Sequence, residues 1–263
     1  MRDILSDLEA GRQLSDPDPV RRAQIQMKTP LPRRFYAQAS VAPTSEGFAV
    51  HLDGKPVRTP GKKLLAVPVA PIAARLVAEW DGQGEEIDPA KMPVTRLVNT
   101  AVDGVAENFD AVFDEIVRFA GTDMLCYRAD SPAGLVERQR AGWDPIIRWA
   151  ADARDARFIL VEGVMHQEQP APAIEAFSRA LAAIRDPLAL ACLHTVTTLT
   201  GSALLALALA EGVIDADRAW TLAHIDEDWQ IEHWGTDEEA FRRRELRRAE
   251  MDVAAAVLAE VPR

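Results

Sequence analysis

Residues 225–244 read IDEDWQIEHWGTDEEAFRRR, which puts seven carboxylates, one imidazole, two indoles and three guanidinium groups into twenty positions. Such groups can do three kinds of work. Carboxylates beside an imidazole can move protons or hold a metal, and indoles set among charges can grip another protein. Wound as one helix over residues 220–234, Trp220, Glu227, Ile231 and Trp234 fall within about 60° of one another, while Leu222, Ile225, Trp229 and His233 gather opposite. His224 and His233 then point about 180° apart, so one rigid helix cannot offer both to a single metal. Two apolar faces imply a helix held between layers or one with a face free for docking. Glu227, set in a Trp/Ile stripe, needs a cation if buried, because an unpaired buried carboxylate costs several kcal/mol. Arg242 to Arg244 could supply it from within the chain, or another protein could.

The acids that follow have a structural explanation. Thr236 with Glu239 three residues later spells a capping box, and Asp237 and Glu238 sit where a helix dipole favours negative charge. Glu238 and Glu239 also precede Arg242 and Arg243 by four residues, the helpful order for pairing along a helix. A second acidic group, Glu85, Glu86 and Asp88, could supply paired carboxylates for hydrolysis with a metal, or be a solvated loop. GxxxxGK[ST], GxGxxG, HExxH and GxSxG are all absent. No catalytic residue, metal ligand or cofactor is assigned.

Composition narrows the classes. The 263 residues carry 30 Lys plus Arg against 41 Asp plus Glu, and a net charge of −11 repels nucleic acid and anionic lipid. Cys126 and Cys192 have no zinc-type spacing and read as small buried hydrophobes of a reduced, intracellular protein. The N-terminus lacks an apolar signal core and is rich in Asp and Glu, so the mature chain is expected to begin at Met1. An uncharged run over residues 189–210 reaches membrane-spanning length, but its alanines, four threonines and His194 point to a buried core helix.

The elements that must position these groups follow from periodicity. Residues 1–30 form a loosely ordered leader punctuated by prolines. In GFAVHL, Phe48, Val50 and Leu52 alternate and Asp53-Gly54 follows, which predicts a hairpin with a type I′ turn. Pro56 and Pro60 confine the return strand to a sheet edge or a bulge. LLAVP adds a strand, and Ile72, Leu76 and Trp80 form a helical stripe facing the sheet. Helices are expected over 94–105 and 108–120, a strand over 124–128, and beyond residue 130 five helical segments, interrupted by the apolar FILVEGV. The class is α+β: a small N-terminal domain of antiparallel sheet plus helix, residues 31–129, and an all-α C-terminal domain, residues 130–263.

Seven blocks in order carry a family likeness: RRFY at 33–36, LDGKPVRTP at 52–60, EWDGQGEEIDPAKMPVTRLVNTAVDGV at 79–105, TDMLCYRA at 122–129, WDPIIRWA at 143–150, TGSALLALAL at 200–209 and DEDWQIEHWG at 226–235. The chain resembles the alpha-subunit assembly chaperones of F-type ATP synthase over residues 33–247. The resemblance implies a non-enzymatic factor that holds the unassembled alpha subunit until a beta subunit arrives, on a fold of small α+β and helical domains. It also implies Glu227, Gln230, Trp234 and Gly235 as matching positions for partner contact, with Trp229 beside them. Eukaryotic members work in mitochondria; the acidic N-terminus departs from theirs and points to a bacterial, cytoplasmic, monomeric homologue. The rival of another class is the hydrolase using Glu85, Glu86 and Asp88.

Overall fold

The computed structural model describes residues 30–45, 47–163 and 167–262. The leader expected over residues 1–30 lies outside them apart from Pro30. The fold is α+β, and the chain divides into two compact units, Met1–Asp103 and Gly104–Arg263.

In the first unit, β1 (Ala39–Thr44) and β2 (Gly47–Leu52) pair antiparallel with Ala39 opposite Leu52 and Val41 opposite Val50. β2 also pairs with the short β3 (Lys55–Pro56) and β4 (Ala66–Val67). The expected turn is present, with Asp53 at φ 48 and Gly54 at φ 77, since a type I′ turn needs two left-handed residues. The Asp53 carboxylate accepts from the backbone N–H groups of Gln38 (3.0 Å) and Ala37 (3.1 Å), and these bonds hold its carboxyl below the usual range.

Helix α1 (Ala70–Asp81), started by Pro71, buries Ile72, Ala73 and Leu76 as its stripe predicts. Trp80 packs on a core of Tyr36, Ala39, Leu52, Ile87 and Met92, and its carbonyl accepts the Tyr36 hydroxyl at 2.6 Å. The Glu79 carboxylate reaches across to the start of α2 (Pro93–Asn99) and accepts from the N–H groups of Val94 (2.6 Å) and Thr95 (2.7 Å). Burial raises the Glu79 carboxyl despite those bonds. Because it satisfies two otherwise orphaned helix donors, Glu79→Ala is expected to destabilise this unit by about 1–2 kcal/mol, read from thermal unfolding, with Glu79→Gln recovering part.

A π-turn (Thr100–Val105) carries the chain into the second unit. There α3 (Phe109–Ala120) is followed by a 3-10 turn (Met124–Cys126) and β5 (Tyr127–Arg128), so the segment read as one strand over 124–128 is half turn. The FILVEGV interruption supplies β6 (Val161–Glu162), parallel to β5. The helices are α4 (Ala133–Arg154), α5 (Ala171–Leu181), α6 (Pro187–Thr200), α7 (Ala203–Ala210), α8 (Ala216–Ala223), α9 (Ile225–Trp234) and α10 (Glu238–Glu260). The change to helices near residue 130 lies inside this unit rather than at its start, because α3 packs on α5, α6 and α7.

Two runs expected as single helices are each broken in two. The run over 189–210 is buried core, and no helix among the described residues is long and apolar enough to cross a membrane. It breaks at Gly201–Ser202, where the Ser202 hydroxyl caps α7 by accepting from Leu205 N–H at 3.0 Å and donates to Asp123 at 2.9 Å. Asp123, fully buried, also accepts from the N–H groups of Leu125 (3.0 Å) and Leu204 (2.9 Å), so one carboxylate caps two helix starts. The run over 220–234 breaks at His224, which ends α8 and begins α9. The cap of α10 is Asp237, accepting from Ala240 N–H at 2.7 Å, and not the expected Thr236.

Candidate functional site

Helix α9 carries four of the five positions singled out for partner contact and is ended by the fifth, Gly235, and none of the helix residues is fully buried. It leans on α4 through one side. The Trp229 indole lies so close to Gly134 that a Cβ there would stand 2.6 Å from the ring. Any larger residue at 134 would displace the helix. The Arg138 guanidinium sits over the same indole, 4.9 Å from its centroid, and donates to both oxygens of Glu232 at 2.7 and 2.6 Å. That paired hydrogen bond holds the Arg138 pKa above and the Glu232 pKa below their ordinary values. Deeper in, buried Gln139 donates to Asp226 at 2.7 Å and Trp143 donates to the Leu222 carbonyl at 2.7 Å. From α10, Arg244 pairs with Asp228.

Three of the four α9 carboxylates are therefore satisfied inside the chain: Asp226 by Gln139, Asp228 by Arg244 and Glu232 by Arg138. Glu227 is the fourth, 39% exposed, and among the described residues no Arg or Lys pairs with it. The internal cation expected from Arg242 to Arg244 is not supplied, because Arg242 and Arg243 pair with Glu238 and Glu239, as their spacing predicts, and Arg244 takes Asp228. The charged or titratable group facing Glu227 is His224, whose Nε2 lies 3.7 Å from its carboxylate.

The end of α9 turns outward. His233 stacks on Trp229 with centroids 4.2 Å apart, and its Nδ1 lies 2.7 Å from the Trp229 carbonyl. Gln230 is exposed and Trp234 is 78% exposed, the most open of the large apolar residues described. Gly235 stops the helix at φ 77 while its N–H reaches the Ile231 carbonyl at 2.8 Å. In the first half of α10 Phe241 is 54% exposed and Leu246 69% exposed; its buried residues begin only at Met251. Phe241 and Leu246 escaped the sequence reading because, five apart among charges, they form no helical stripe.

The acidic loop does not assemble an acid/base pair. Asp88 caps a 3-10 turn by accepting from Ala90 N–H at 3.0 Å, while Glu85 and Glu86 are exposed. None of the three lines the cavities of about 660 and 410 Å³ in the second unit. Among the described residues no group of three or more His, Cys, Asp or Glu is placed to hold a metal. Cys126 and Cys192 are buried, and burial pushes both thiols up, away from the reactive thiolate.

The pattern of the ATP12 chaperone protein family matches residues 33–151. The mitochondrial protein atp12 of Schizosaccharomyces pombe is 23% identical over 228 residues, covering 81% of this chain and 78% of its own. A crystal structure from Agrobacterium tumefaciens, described as that of a candidate chaperone, is 55% identical with a TM-score of 0.86, covering 100% of this chain and 97% of its own. The crystal structure of Atp12 from Paracoccus denitrificans is 41% identical with a TM-score of 0.81, covering 87% of this chain and 97% of its own.

Proposed function

The chain belongs to the ATP12 chaperone family, and on that footing we propose that it is a non-enzymatic assembly chaperone of the F-type ATP synthase. It binds the unassembled alpha subunit of the catalytic head and keeps it from aggregating until a beta subunit takes its place. An unassembled subunit exposes apolar interface, and a partner that covers it suppresses association without making or breaking a covalent bond. No cofactor takes part. The protein acts as a monomer in the bacterial cytoplasm.

One observation carries the proposed contact surface: α9 presents a 78% exposed tryptophan on the same short helix as a carboxylate that pairs with no Arg or Lys among the described residues. Tryptophan is the commonest anchor at protein interfaces, and a carboxylate that becomes desolvated there needs a cation on the partner. In this reading Trp234 is the apolar anchor, Glu227 pairs with the client and Gln230 hydrogen-bonds it. Trp229, held against Gly134, fixes the helix and lends its open edge. Gly235 ends the helix directly after Trp234.

Co-expression with separate alpha and beta subunits of the same organism tests the assignment. The alpha subunit is expected to co-purify and to remain soluble, and the beta subunit to do neither. Recovery of beta in place of alpha, or of neither, would remove the proposal.

A further inference from the structure

The join between α8 and α9 holds a buried nitrogen with no hydrogen-bond partner among the described residues. The His224 ring is 3% exposed and lies against Trp220 with centroids 3.8 Å apart and the planes tilted by 32°, so its direction is fixed. Its Nδ1 lies 2.8 Å from the Trp220 carbonyl. A carbonyl can only accept, so Nδ1 carries the proton, and in a neutral ring Nε2 is left as a bare lone pair. That Nε2 is buried without a hydrogen-bond partner among the described residues and faces the Glu227 carboxylate at 3.7 Å.

Two acceptors at that separation have nothing to share, and an N–H donor lying about 2.8 Å from each would satisfy both. Arginines nearby are engaged elsewhere: Arg244 with Asp228, Arg247 with the Leu199 carbonyl at 2.8 Å, and Arg248 with Asp217 and Asp252. Resting on the client-capture reading above, we infer that the client presents a lysine or arginine side chain to Glu227 and to a neutral His224 together. His224 thus supplies an acceptor to the client's cation beside Glu227, and protonating it switches capture off. Nε2 is covered in the free chain, so docking of the cation includes a rotation of the half-exposed Glu227 side chain.

The charged groups that face the ring are Glu227 on α9 and Arg244 and Arg247 on α10. Burial is the largest influence and, with the two guanidinium groups, keeps the ring below the ordinary histidine pKa; the Trp220 carbonyl and Glu227 pull the other way. The neutral form therefore prevails at pH 7. A proton on Nε2 would turn it into a donor to Glu227, closing the carboxylate off and repelling the client's cation.

The test measures binding of purified alpha subunit by the whole chain between pH 8 and pH 5, together with ring titration of His224 by NMR in the chaperone alone. Wild-type affinity is expected to be constant near neutrality and to fall by about tenfold or more as the ring titrates, the equivalent of one charge-assisted hydrogen bond. His224→Gln keeps an acceptor but no titrating group, so it should capture at pH 7.5 within a few-fold of wild type and lose the pH dependence. His224→Phe should be about tenfold weaker at pH 7.5. Glu227→Gln should lower the ring's midpoint. Wild-type capture that stays level while the ring titrates, or a pH profile unchanged in His224→Gln, overturns the inference whether or not the Phe variant folds. Absence of wild-type capture at pH 7.5 overturns the client reading itself, and an unmoved midpoint in Glu227→Gln overturns the His224–Glu227 coupling without reference to any client.

Discussion

Glu227→Lys is expected to weaken capture of the alpha subunit about a hundredfold while leaving the melting temperature of the free chain within a few degrees of wild type. The fold tolerates the change because α9 buries none of its residues completely and Glu227 makes no ion pair with Arg or Lys among the described residues. A lysine can extend into solvent from that position, and its main cost is mild repulsion from Arg244 and Arg247. At the interface the balance differs. Removing one partner of a desolvated charge pair costs about 2–5 kcal/mol, and placing a like charge there adds to it, so two orders of magnitude is the lower part of the range. Calorimetric binding of purified alpha subunit, with circular dichroism of the free variant, separates the two effects. Undiminished capture would refute the contact assignment, and loss of the folded state would show that Glu227 acts within the chain.

Asp123→Ala is expected to destabilise the second unit by about 3 kcal/mol or more, the largest effect on stability anticipated here. The carboxylate is completely buried and satisfies Leu125 N–H, Leu204 N–H and the Ser202 hydroxyl. Each buried donor left unpaired costs about 1–3 kcal/mol, and relief from burying a charge offsets only part of the sum. Burial pushes the Asp123 carboxyl up to about 6 against the pull of those donors. With the folded pKa above the unfolded one, the native state holds the extra proton, so this group's contribution to stability is greatest near pH 4, declines as pH rises to about 6 and is flat above. A rise of about two units corresponds to roughly 3 kcal/mol across that window. Asp123→Asn, which cannot ionise, should abolish this slope in denaturant titrations between pH 4 and pH 7. A slope that survives in the Asn variant must arise from other groups.

Much of the first unit was legible in the sequence because its signals are local. Alternation in Phe48, Val50 and Leu52 followed by Asp53-Gly54 is enough to define a hairpin, and Ile72, Leu76 and Trp80 mark a helix face wherever it packs. The second unit's breaks are tertiary. Nothing in the alanine- and leucine-rich run over 189–210 says that Gly201–Ser202 outweighs the helical propensity around it, since the Ser202 hydroxyl is held there by Asp123, 79 positions away. The kink at His224 has no Gly or Pro to announce it and depends on the ring docking against Trp220. The positions in α9 were recognisable as a group. That Glu227 is the carboxylate left without an Arg or Lys partner among the described residues was not, because it depends on what Arg138, Gln139 and Arg244 choose from distant parts of the chain.

The long reach of these bonds bears on how the protein is made. On the ribosome, Asp123 emerges well before Ser202 and Leu204, and Arg138 waits 94 positions for Glu232. The first unit can close once residue 103 has cleared the exit tunnel, since vectorial synthesis lets an N-terminal unit fold ahead of the rest. The second unit stays open until nearly the whole polypeptide has been translated, its central carboxylate hydrated in the meantime. A chain truncated before residue 205 would hold a finished first half and a second half lacking the groups that close it.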